Sequence, residues 1–258
     1  MSSGIKLRKI YRVGYCLSRG ALGERSLGWE KMRFYARAFL LEHPQKGLIL
    51  IDTGYGDAAI HSLKKGINRL YGALLPVTYS PEDRLLLQLA QDGIAKSDLS
   101  YLILTHFHPD HIGALPEFTK TRFVYRKEAL DSLLKMARLS QLFKGFLPDL
   151  IPAIPENSRP ILESAFQSHW NGFPACDLFS DGSLFLVDLP GHALGQMGVA
   201  IQDKLFAADS QWSSGKPPHP LSFWLQEDPK AYRRTWKALK ELPPSIQIIP
   251  THTICPHA

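Results

Sequence analysis

LTHFHPDHIG, residues 104–113, sets three histidines and an aspartate within six positions at the end of an apolar run. The run, YLILT, reads as a buried strand, so His106 opens a loop at a strand end, where side chains converge on a pocket. His106 and His108 are two apart and can face one centre. Asp110 and His111 follow the turn made by Pro109 and can face another. Imidazole and carboxylate donors suit zinc and related divalent ions, and no packing role asks for so many on one turn. One turn cannot fill two metal shells, so further ligands are expected at later strand ends. Three residues fit: His192 in PGHALGQ after SLFLVDLP, Asp209 after KLFAA, and His252 in PTH after IQIIP. The remaining histidines, His43, His61, His169, His219 and His257, read as structural or surface residues.

The chain around this cluster has 258 residues and 45% hydrophobic content, ample for one enzyme-sized domain. No apolar run is long enough to span a bilayer, and MSSGIKLRKIYRVGYC lacks the apolar core and cleavage site of a signal peptide. A cytoplasmic protein without a membrane partner is expected. Cys16, Cys176 and Cys255 are odd in number and form no C-x-x-C pair, which excludes a disulfide framework and a zinc ribbon. The formal charge of +6 is spread over stretches such as RKEALDSLLKMAR and PKAYRRTWKALKEL, so it reads as solvated helix faces and not a nucleic-acid surface.

Short apolar segments bounded by Gly, Pro, Asn or Asp read as strands: ARAFLLEH, GLILID, LSYLILT, RFVYR, SLFLVDLP, MGVAIQ, KLFAAD and SIQIIP. Helices are expected over 81–91, 127–143 and 229–241. Asp228 caps the last, and Tyr232, Trp236 and Leu239 give it an apolar face. Hairpins are expected across Pro44–Lys46 and across Gln202-Asp203, giving mixed sheets in an α/β protein. Residues 55–80 and 144–180 lack regular patterning and read as binding loops or lids. Phe223, Trp224 and Trp236 read as core aromatics.

The order H-x-H-x-D-H, then PGH, then a lone Asp after a strand, then a final His resembles the metallo-β-lactamase superfamily, and GLILIDTG is similar to that family's turn at Asp52, Thr53 and Gly54. The resemblance implies a four-layer αβ/βα sandwich of two mixed β-sheets flanked by helices, one domain over 1–258 with insertions near 55–80 and 127–180. It also implies that His106, His108 and His192 hold one metal, that Asp110, His111 and His252 hold a second, and that Asp209 bridges them. Two divalent ions about 3.5–4 Å apart can share a hydroxide of near-neutral pKa and polarise a carbonyl or phosphoryl oxygen. Asp110 and Asp209 are the candidate catalytic carboxylates, with Asp110 also placed to pass a proton. Asp52 is expected to orient a ligand loop through hydrogen bonds. Zinc is the first expectation for the ions, and iron, manganese or cobalt suit the same donors.

FLLEHPQKGLILIDTGYG followed by THFHPDHIGAL is most similar to the N-acyl homoserine lactonase branch, which implies hydrolysis of a small lactone or ester. Lactonases of that branch often carry a tyrosine three residues after the bridging aspartate; here that position is Trp212. An indole offers one N–H and no acidic proton, so it can contact substrate without replacing a phenol. Trp212, Tyr71, Phe143 and Phe146 are the candidate substrate contacts, with Leu74, Leu75 and Leu147 beside them. A phosphodiester or phosphonate hydrolase on the same site, and a metal-binding regulator with negligible turnover, are the alternatives. The expected partner is a small molecule, and a homodimer is compatible with the sequence.

Overall fold

GLILI, LSYLI and RFVYR are leucine-rich or β-branched runs without polar alternation, the pattern of parallel strands covered on both faces. Ile49, Leu50, Ile51, Leu102, Ile103, Phe123 and Val124 are accordingly all fully buried. The structure is a computed structural model that describes residues 4–212 and 216–256. His257 lies outside them.

In chain order the elements begin with β1 (Lys6–Arg19), α1 (Gly20–Gly23), β2 (Lys31–His43), β3 (Gly47–Ile51), α2 (Asp57–Ser62), α3 (Arg69–Leu74), β4 (Val77–Thr78) and α4 (Leu85–Gln91). They continue with β5 (Leu99–Ile103), α5 (Pro109–Ile112), β6 (Arg122–Arg126), α6 (Lys127–Lys135), α7 (Arg138–Phe143) and β7 (Arg159–Ile161). Then come β8 (Ser168–Trp170), β9 (Phe173–Asp177), β10 (Phe185–Asp188), β11 (Met197–Ile201), β12 (Lys204–Phe206), α8 (Pro220–Trp224), α9 (Pro229–Lys240), β13 (Gln247–Ile249) and β14 (Thr253–Pro256). Contacts divide the chain into two compact units, Met1–Leu17 with Tyr35–Ile161 and Ser18–Phe34 with Leu162–Ala258.

The first unit is built on a mixed sheet in the order β4-β1-β2-β3-β5-β6-β7. β2 and β3 form the expected antiparallel hairpin, closing at His43 and Gly47, whereas β3, β5, β6 and β7 run parallel. The second unit carries a mixed sheet in the order β13-β12-β11-β10-β9-β8. Its β11–β12 hairpin closes at Ile201 and Lys204, and only β12–β13 among its pairs is parallel. Leu239 of α9 packs on this sheet with Val187, Leu189, Leu205 and Trp170. Asp228 caps α9 as expected, accepting from the amides of Lys230 and Ala231 at 2.9 Å.

Three local expectations are corrected. Residues 127–143 form two helices, because Met136 and Ala137 turn extended. Leu133 and Leu142 are both buried, yet nine residues apart they would lie about 180° apart on one straight helix; the break lets both reach the core. The Gln141 side chain then donates to the Leu133 carbonyl at 3.0 Å. Within 144–180, β8 and β9 form a hairpin whose turn is Asn171-Gly172, both left-handed, a signal present in the sequence and passed over. Trp224 is 70% exposed and so not core, while Phe223 packs edge-on against Tyr232 and Trp236.

The turn after β3 is the tightest point of the first unit. Asp52 and Gly54 have φ of 57° and 64°, the left-handed region. A Cβ on Gly54 would lie 2.3 Å from Val13 Cβ, so glycine is required twice over. Gly54→Ala should cost roughly 2–5 kcal/mol, from backbone strain and overpacking together, read by denaturant unfolding. A loss below the error of that measurement would show that β1 yields freely there.

Candidate metal centre

Parallel pairing brings strand ends together, and the ends of open α/β sheets are where sites form. β3 and β5 of the first unit run side by side, and their C-terminal ends lead directly into Asp52 and into Thr105-His106. Asp52 is fully buried, and its carboxylate accepts from the Thr105 amide, the Thr105 hydroxyl and His111 Nδ1, each at 2.8 Å. The neighbouring Thr53 hydroxyl donates to the His111 carbonyl at 3.0 Å and accepts from the Ala114 amide at 3.1 Å. The turn after β3 therefore grips the histidine loop from both sides.

These bonds fix which ring nitrogen each histidine presents. A carboxylate only accepts, so His111 Nδ1 carries the proton and Nε2 keeps the lone pair. The Thr105 hydroxyl spends its hydrogen on Asp52 and can only accept from His106 Nδ1, 3.2 Å away, which leaves the lone pair of His106 on Nε2. His108 Nε2 donates to the Lys144 carbonyl at 3.1 Å, leaving Nδ1. The rings of His106 and His111 are 3.9 Å apart between centroids, and those of His106 and His108 4.5 Å. Asp110 extends from α5, 13% exposed, with Oδ2 at 4.0 Å from His111 Nε2. Tyr55, buried near Asp110 with the Cys16 thiol as hydrogen-bond partner, has its hydroxyl pushed well up, chiefly by burial, and stays protonated.

The second unit repeats the device. β12 and β13 are parallel, and β10 shares their direction through antiparallel β11, so His192, Asp209 and His252 all follow strands that end at one edge of the sheet. Gly191 precedes His192 with φ of 127°, and a Cβ there would come 2.2 Å from the Tyr232 amide of α9. Pro190 accepts from Thr235 at 2.7 Å, and the Gly191 carbonyl from the Asp228 amide at 2.9 Å. Gln226 Nε2 donates to the Ser222 carbonyl at 2.6 Å, which aims its Oε1 at His192 Nδ1, 2.7 Å away. His192 Nδ1 is thus the donor, and its Nε2 lone pair faces Asp209 Oδ2 at 3.3 Å. Two acceptors at that distance need a proton or a cation between them.

Asp209 is the hub of this half. Its Oδ2 also lies 3.2 Å from His252 Nε2 and accepts from Trp212 Nε1 at 3.0 Å. Its amide bonds to Gln196 Oε1 at 3.3 Å, and Gln196 Nε2 holds Ser210 Oγ at 2.9 Å. Burial first, and the Asp209 charge second, push the Tyr232 hydroxyl well above its ordinary range. Among the described residues, no hydrogen bond reaches His106 Nε2, His111 Nε2 or Asp209 Oδ1, although each residue is bonded through other atoms. Lone pairs held by bonds on the far side of each ring, in an imidazole and carboxylate set, are what a divalent ion requires. The donors of each unit fit such an ion.

The candidate substrate contacts fall in different settings. Trp212 is half-buried with its N–H committed to Asp209, and its ring stands edge-on to His192 at 5.7 Å. Tyr71 is half-buried on α3, and Phe143 is 81% exposed at the end of α7. Phe146 is 1% exposed and packs edge-on against Phe107, so it braces the histidine loop from within the core. Thr105, Gln196 and Gln226 were not singled out by sequence; only their place beside THFHPDH, within PGHALGQ and before the Asp228 cap pointed to them. Among the other histidines, His43 is buried and accepts turn amides at Nδ1, His219 caps α8, and His61 and His169 are exposed.

An N-acyl homoserine lactonase of Bacillus thuringiensis is 32% identical over 212 residues, covering 79% of this chain and 74% of the relative. A protein named probable metallo-hydrolase from Mycobacterium tuberculosis is 29% identical over 170 residues, 63% of this chain, and the match spans 51% of that relative's length. A solved N-acyl homoserine lactone hydrolase, with the product N-hexanoyl-L-homoserine at its catalytic metal centre, superposes with a TM-score of 0.72 at 20% identity, covering 96% of this chain and 94% of that one. That likeness shows a shared fold, in keeping with the two mixed, helix-flanked sheets expected from sequence. With residues 33–252 matching the family model as well, the chain belongs to the metallo-beta-lactamase superfamily.

Proposed function

We propose that this protein is a dinuclear metal-dependent hydrolase that opens an N-acyl homoserine lactone or a related small ester. His106, His108 and His192 hold one ion in this reading, Asp110, His111 and His252 the other, and Asp209 lies between. The observation that carries it is the opposition of His192 Nε2 and Asp209 Oδ2 at 3.3 Å, an arrangement that a divalent cation between them satisfies while Gln226 holds the other ring nitrogen. The similarity to a Bacillus lactonase over most of both chains supports the substrate class.

When bound, two such ions supply a nucleophile at neutral pH and polarise the substrate carbonyl. The protein's own part is orientation and proton handling. Asp52 and Gln226 lock the tautomers of His111 and His192, so the ligand field is set before substrate arrives. Asp110, at 13% exposed, keeps the solvent contact that a proton carrier needs; it takes the proton given up by the attacking water and passes it to the ring-opened oxygen. Trp212 spends its only donor on Asp209, so it steadies that carboxylate and would meet substrate through its ring alone. Imidazole and carboxylate donors favour zinc, and three cysteines outside any disulfide suit a reducing cytoplasm.

Zinc-loaded protein should release acid from N-acyl homoserine lactones in a pH-stat, and chelation or His106→Ala should return release to background. Metal-replete protein that leaves every lactone intact would overturn the substrate assignment. Asp52→Asn should lower zinc affinity about 10–100-fold, measured by competition with a chromophoric chelator, with the circular dichroism spectrum unchanged. Trp212→Phe should weaken zinc retention about tenfold or more and leave KM nearly constant; a raised KM with full metal affinity would instead make the indole N–H a substrate donor.

A further inference from the structure

Two helices of the first unit turn large apolar side chains to solvent. Leu70 and Leu74 on α3 are 58% and 81% exposed, and Leu139 and Phe143 on α7 are 50% and 81% exposed. Residues four apart share a helix face, so each helix presents one apolar stripe outward. The turn Gly66–Asn68 leads into α3 and packs on α7. Its Asn68 donates to Ser62 Oγ at 3.0 Å and to Asp149 Oδ2 at 3.5 Å, and Arg138 at the start of α7 pairs with Asp149 at 3.6 Å. Ile67 in the same turn adds a further exposed side chain, at 37%. An apolar surface of this kind marks an interaction site.

Charge identifies what covers it. Residues 61–76 and 136–149, which hold α3, α7 and their flanks, contain Lys64, Lys65, Arg69, Arg138 and Lys144 against the single acid Asp149. Those two segments hold a net +4 of the chain's formal +6. Lys64, Lys65 and Arg69 flank Leu70 and Leu74, and Arg138 and Lys144 bracket Leu139 and Phe143. Apolar anchors ringed by cations suit a bilayer with anionic headgroups: leucine and phenylalanine enter the boundary of headgroup and acyl chain, and lysine and arginine meet the headgroup charge. A second copy of the chain is the poorer occupant, because two-fold pairing would press one basic face against another. A nucleic acid would use the cations and leave the anchors in water.

We infer that α3 and α7 form a docking face for an anionic lipid surface. No helix among the described residues is long and apolar enough to cross a membrane, and α3 and α7 have six residues each, so the contact is shallow and reversible. The inference stands apart from the hydrolase reading.

Vesicle flotation of the full-length, metal-loaded protein tests it. The protein should float with vesicles of phosphatidylcholine mixed with phosphatidylglycerol, about tenfold or more weakly with phosphatidylcholine alone, and less as salt is added. Leu74→Glu with Phe143→Glu should abolish flotation, and Lys64→Glu with Lys65→Glu should weaken it, with circular dichroism unchanged in both. Absence of flotation in the unaltered protein, or equal flotation of the Leu74 and Phe143 variant, overturns the inference. A protein that does not float, sediments as a dimer and becomes monomeric in that variant would assign the face to a second copy.

Discussion

A carboxylate sealed from water must be hydrogen-bonded on all sides or be lost as a charge, and Asp52 meets that condition through three donors at 2.8 Å. Two of them belong to Thr105 and the third to His111, so one buried group ties the end of β3 to the whole loop that follows β5. Its own backbone, at φ of 57°, and the glycine-only approach at Gly54 bring that carboxylate to the required spot. Loosen this knot and the orientations of His106 and His111 go with it.

The second unit solves the same problem with neutral groups. Gln226 and Gln196 are amides whose own donors are anchored to Ser222 and Ser210, and their carbonyl oxygens then hold His192 and the Asp209 amide. Pro190, Gly191 and His192 are in turn bonded to α9 and to the segment leading into it. Rigid support of this sort fixes the donor atoms, so little reorganisation is needed when a metal binds. It also explains why the ligands follow strand ends: the sheet supplies a fixed edge, and the loops need only a few residues to reach out from it.

Much of this was legible in the chain itself. The eight strand segments and both hairpins stand where apolar runs and turn residues put them, and α9 starts at its Asp228 cap. The 14-residue β1 was not expected, because KLRKIYRVGYCLSR begins with charged and exposed positions and buries alternate residues only from Tyr11 onward. The single helix over 127–143 was expected because periodicity cannot sense that Leu133 and Leu142 must both turn inward. Trp224 was assigned to the core on residue type alone, whereas exposure depends on what happens to lie above it.

The sequence by itself determined the types and order of the candidate ligands, since His and Asp at strand ends follow from local pattern and from the chemistry of divalent ions. It also determined the superfamily, through spacings that need no knowledge of the third dimension. Only the tertiary structure decided which nitrogen of each histidine is presented, because that depends on acceptors many residues away, Asp52 for His111 and Gln226 for His192. It alone also packed the turn at Gly66–Asn68, which leads into α3, against α7, about 70 residues on in the chain. A hydrogen-bond partner or a surface patch is a property of distance in space, and a linear pattern carries that information only where the fold keeps neighbours close.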